Sequence, residues 1–127
     1  MLLKTIYEKI GGDDFVGFLA DDFTHRVLSD PGLSRLYEGY DFPRLAARHK
    51  EWVTHVLGGN TEDEHRLRYV NKRFVEERGI SDVQYRLITG HLIATLLEFD
   101  IPKSELDELR KYLTQMRDIC LHRKIDS

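Results

Sequence analysis

His49 is the residue whose type and position most directly offer chemistry. It lies in RLAARHKEWVTHVLGG, residues 44–59, four residues after Leu45 and three before Trp52. That spacing puts it on the apolar stripe of an amphipathic helix. An imidazole on a face meant for burial has two uses. It is a hydrogen-bonded core residue, or it is a nitrogen ligand facing something bound inside. Phe23, Tyr37, Phe42 and Trp52 are the aromatic residues expected to line a flat cavity around it.

The other histidines offer less. His91 follows Leu87 and Ile88 by one helical turn and reads as a core histidine that caps a neighbouring helix, with Gly90 beside it predicting close helix packing. His49 and His55 are six residues apart and point to different sides of their helix, so HKEWVTH is not a zinc-protease pair. His25, His55, His65 and His122 lie among charges and are expected to be solvated. The single cysteine, Cys120, excludes a cysteine cluster for zinc or iron–sulfur and reads as a small core residue. No glycine-rich loop follows a strand, and no nucleophile elbow surrounds a serine, so nucleotide-binding and serine-hydrolase readings lack support.

The elements that must hold these residues are helical, because apolar residues recur at three- and four-residue steps almost everywhere and never alternate. A short first segment ends at Gly11-Gly12. A second spans about Asp13 to Ser29, with Phe15, Leu19, Phe23 and Val27 on one stripe, and SDPGL breaks it. The third spans about Phe42 to Leu57 and stops at Gly58-Gly59. A highly charged segment from about Glu62 to Glu77 carries Leu67, Val70 and Phe74. SDVQ, residues 81–84, is a capping box that opens another helix, and Pro102 suits the first turn of the last. The fold class is therefore all-α, with helices crossing steeply rather than running as a straight bundle.

The chain has 127 residues, 41% hydrophobic and 32% charged, which predicts one globular domain over 1–127. A net charge of -3 gives no basic field for nucleic acid. The opening MLLKTIYEKIGG has no uninterrupted apolar run, so neither a signal peptide nor a membrane span is expected. One cysteine without a partner points to a reducing cytoplasm. Arg44, Arg48, Lys50, Arg66, Arg68, Lys72, Arg73 and Arg78 flank the middle helices, either as a solvated face balanced by Glu62, Asp63, Glu64, Glu76 and Glu77 or as a rim that pairs with ligand carboxylates.

TIYEKIGG, DDFTHRVLSDPGL, RLAARHKEWVTHVLGG, RGIS and GHL resemble, in order, the segments of group I truncated hemoglobins, from about Thr5 to Ile119. The resemblance implies a two-over-two helical sandwich around a heme, with O2 or NO binding as the family function. It aligns Phe23-Thr24 with the family's Phe-Tyr pair, Tyr37 with a phenylalanine, His49 with a distal polar residue, Leu45 with the distal gate and Arg48 with a basic partner of a heme propionate. Trp52, Phe74 and Val75 complete the implied cofactor contacts. It also implies an iron-ligating histidine five residues before the isoleucine of RGI, a position this chain fills with Val75, which has no donor atom. Two readings follow. In one, heme binds with His49 as the iron ligand and takes up a diatomic gas. In the other, the domain is heme-free and binds a protein partner or senses a small apolar ligand. Nitric oxide dioxygenation or peroxidase-like activity is expected only with heme bound, and His49 is the one acid–base group at hand.

Overall fold

The computed structural model describes residues 5–59 and 72–120, the last three by backbone alone. Helix α1 is Ile6–Lys9, α2 is Asp13–Ser29, a 3-10 helix spans Ser34–Tyr37, and α3 is Phe42–Val56. Residues 72–78 form α4. Helix α5 is Asp82–Leu97 and α6 is Lys103–Cys120. The described residues contain no strand, so the all-α expectation holds. No helix among them is long and apolar enough to cross a membrane.

Local chemistry sets most of the helix ends. Gly12 precedes α2 at φ 68°, a left-handed backbone that glycine adopts without a Cβ clash. Asp30 ends the same helix in an extended conformation, as expected for a residue before proline. Asp41 caps α3 by accepting from the Arg44 N–H at 2.9 Å, and Gly58 terminates it at φ 91°. Ser81 and Gln84 form the reciprocal capping box of α5. Pro102 stands one residue ahead of α6, where its carbonyl accepts from the N–H groups of Glu105 and Leu106.

Helix α2 is the centre of the sandwich. It packs along α3, crosses α5 and touches the 3-10 helix, while α5 pairs with α6. Phe23 and Leu19 of α2, Val53 of α3, and Leu92 and Leu96 of α5 are fully buried. Burial of each such side chain is worth about 1.5–3 kcal/mol. The helix pairs are also tied by polar contacts. Tyr85 donates its hydroxyl to the Leu113 carbonyl at 3.0 Å, and the Arg26 guanidinium pairs with Glu98.

Three expectations need correction. His55 is half-buried rather than freely solvated: its Nε2 lies 3.0 Å from the Tyr112 hydroxyl and links α3 to α6. Gly90 has open space where a Cβ would stand, so among the described residues no close helix contact explains its small size. Leu87 is one of the exposed large apolar residues, because the buried stripe of α5 runs through Tyr85, Leu92 and Leu96 instead.

His91 does meet the end of a neighbouring helix. Its Nε2 lies 2.7 Å from Oδ2 of Asp30, the residue that closes α2, while Oδ1 of Asp30 accepts from the Gly32 N–H at 2.9 Å. The His91 bond, then the Gly32 bond, hold the Asp30 carboxyl below its ordinary value of 3.8. A carboxylate with a lowered folded-state pKa stabilises the fold above its unfolded value and loses that effect as pH falls through the folded one. Asp30→Ala should therefore lower Tm at neutral pH, and the gap from wild type should shrink below about pH 4. Thermal melts of both proteins across pH check this; a gap unchanged down to pH 3 contradicts it.

Candidate functional site

Helix α3 presents Leu45, Arg48, His49 and Trp52 to a cavity at the centre of the sandwich. Phe23 of α2 and Tyr37 of the 3-10 helix line it too. Phe74 and Val75 of α4, followed by Ile80, form part of the facing wall. The void is small, about 90 Å³, because aromatic rings fill much of the space. Tyr37 stacks on Phe74 at 5.7 Å, and Phe23 on Trp52 at 5.7 Å.

Two residues stand elsewhere than expected. Phe42 does not line the cavity; it packs against His25 at 4.5 Å on the outer side of α2 and α3. Thr24 is fully buried behind the lining, in contact with His49. Four lining residues were not singled out from the sequence: Ile80, Tyr85, Ile88 and Met116. Tyr85, Ile88 and Leu92 recur at three- and four-residue steps after the Ser81 cap, and that register is the signal that would have found the first two.

His49 is the polar centre of the cavity. It is 8% exposed, lies 4.8 Å from the Phe23 ring and meets the Tyr37 ring edge-on at 5.8 Å. Its Nδ1 is 2.8 Å from Thr24 Oγ1, and no hydrogen bond reaches Nε2 among the described residues. Burial, followed by the nearby Arg48 charge, pushes the imidazole pKa down to about 3. The ring is therefore neutral at physiological pH and keeps a lone pair available. Burial likewise raises the Tyr37 phenol above its usual value, so it remains a neutral hydroxyl.

Arg48 supplies positive charge beside this neutral pocket. Its Nη1 donates to the Tyr40 hydroxyl at 2.7 Å, and the guanidinium lies 5.5 Å from the Tyr40 ring centre and 5.2 Å from that of Phe74. Among the described residues these cation–π contacts hold the side chain without an ion pair. The arrangement can bind a flat apolar group, offer it one nitrogen base, and meet an attached carboxylate with a guanidinium.

A profile of the bacterial-like globin family matches residues 5–121. The chain belongs to that family, and its relatives place it with the group 1 truncated hemoglobins. A group 1 truncated hemoglobin of Synechocystis is 30% identical over 108 residues, covering 84% of this chain and 87% of the relative. One from Mycolicibacterium paratuberculosis is 29% identical, covering 83% of this chain and 75% of the relative. The 2/2 hemoglobin of Synechococcus, solved in the cyanomet state with covalently attached heme, superposes with a TM-score of 0.78 at 28% identity, over 94% of this chain and all of that one. The two-over-two sandwich is thus the fold of this chain.

The buried, neutral state of His49 has a direct readout. Its ring protons should show no titration between about pH 5 and 8, the window in which an ordinary histidine changes charge. NMR chemical shifts of the ring against pH measure this, and a midpoint inside that window contradicts the assignment.

Proposed function

We propose that this domain binds heme with His49 Nε2 as an iron ligand and thereby takes up a diatomic gas, O2 or NO. The observation that supports this most is the imidazole itself: more than nine-tenths buried, neutral, and with Nε2 unpartnered among the described residues. Globin iron is held by such a nitrogen.

The residues fit the group in their chemistry. Phe23, Trp52, Phe74 and Val75 offer apolar faces, His49 offers one nitrogen base, and Arg48 can pair with a propionate. The fit requires space, since cofactor pockets hold about 300–1,000 Å³ and this void is about 90 Å³. The Tyr37–Phe74 stack joins the 3-10 helix to α4 across the lining, so separating those two rings would widen the cavity. Bound heme supplies an iron with a coordination position for gas. Within this chain, the apolar wall excludes water, Arg48 orients the cofactor's acidic edge, and His49 provides the ligand lone pair.

The described wall facing His49 contains no second imidazole; His65 falls within residues 60–71, outside the described part. The test is a titration of the full chain with hemin, followed by absorption, for wild type, His49→Ala and His65→Ala. Wild type should give a saturable Soret band at one equivalent. His49→Ala should weaken binding at least tenfold and change the band, as expected when a metal ligand is lost, while His65→Ala should behave as wild type. Identical titrations for wild type and His49→Ala refute the His49 ligation. A broad, unsaturable change in all three refutes heme binding and favours the second reading, a heme-free domain for a small apolar ligand. The small volume of the void, about 90 Å³, is the observation that keeps that reading in view.

A further inference from the structure

Thr24 has two polar contacts and one hydroxyl proton. Its Oγ1 lies 2.7 Å from the Ala20 carbonyl oxygen and 2.8 Å from His49 Nδ1. The carbonyl can only accept, so the hydroxyl proton goes to it. Oγ1 is left with lone pairs facing Nδ1, and the bond forms only if Nδ1 carries the proton. Thr24 is 0% exposed, so no bulk water competes for either bond. Its β-branched side chain also has few rotamers within a helix, which holds Oγ1 in place.

We propose that Thr24 is the positioning residue of the cavity: by committing its proton to Ala20, it locks His49 as the Nδ1–H tautomer and leaves Nε2 as a bare electron-pair donor. A neutral imidazole without such a partner exchanges between two tautomers, and only one of them has this free lone pair at Nε2. The lock therefore selects ligands by class. A Lewis-acidic metal centre or a hydrogen-bond donor can meet Nε2. A carbonyl, a bound oxygen atom or another pure acceptor gains no hydrogen bond from His49. The consequence for iron rests on the heme reading above, but the tautomer does not.

The proposal is tested by recording the imidazole 15N shifts and two-bond 1H–15N couplings of the uniformly labelled full chain before any hemin is added, for wild type, Thr24→Val and Thr24→Ser. The same three proteins are then titrated with hemin. Wild type and Thr24→Ser should show His49 protonated at Nδ1. Thr24→Val, nearly the same shape without the hydroxyl, should lose that pattern and bind hemin roughly tenfold to a hundredfold more weakly, the range seen when a ligand's outer partner is removed. The loss should vanish in the His49→Ala background, because the two residues act through one lone pair. A wild-type spectrum with the proton on Nε2 overturns the proposal outright, even if Thr24→Val fails to fold. So does a folded Thr24→Val that keeps the Nδ1–H pattern. If no protein binds hemin but the tautomer follows Thr24, the heme reading fails and the lock stands.

Discussion

The cavity depends on the contact between α2 and α3, where Phe23 and Thr24 meet His49. Phe23 fills the space beside the imidazole, and Thr24 supplies the hydrogen bond that makes its burial tolerable. A buried imidazole with neither nitrogen satisfied would cost roughly 1–3 kcal/mol for each stranded polar group. Here one nitrogen is satisfied by the core and the other is turned to the cavity. Everything on the far wall, from Phe74 to Met116, packs around a polar group already fixed by its own pair of helices.

That division of roles explains the electrostatics. Arg48 and His49 are neighbours in sequence, yet one is a cation held over aromatic faces and the other is neutral. The guanidinium charge disfavours a second positive charge on the imidazole, and burial disfavours it more. The result is a neutral base next to a permanent cation, a combination that accepts an amphipathic ligand whose apolar body and acidic edge are separated.

Much of this was legible in the sequence where the controlling chemistry is local. The bounds of α2 follow from Gly11-Gly12 and Pro31, and the start of α5 follows from the Ser81–Gln84 box. The burial of His49 followed from its place on the stripe of α3. The bond between Thr24 and His49 was not legible, because the partners are 25 residues apart and their meeting depends on how two helices cross. For the same reason His55 looked solvated until Tyr112 came to it from α6. Gly90 misled in the opposite direction, since a small residue in a helix suggests a close neighbour and among the described residues there is none within 4 Å of where its Cβ would stand. Val75 lies in the cavity wall; residues 60–71 are outside the described part.

The way Arg48 is held bears on kinetics. Among the described residues, a hydroxyl and two ring faces hold it in place of a carboxylate. Among those residues no carboxylate cancels its charge at close range, which leaves a positive field beside the cavity. An anionic ligand is drawn in by that field before any contact forms, so its rate of arrival should fall as ionic strength rises. Its rate of departure, governed by the apolar slot, should respond far less.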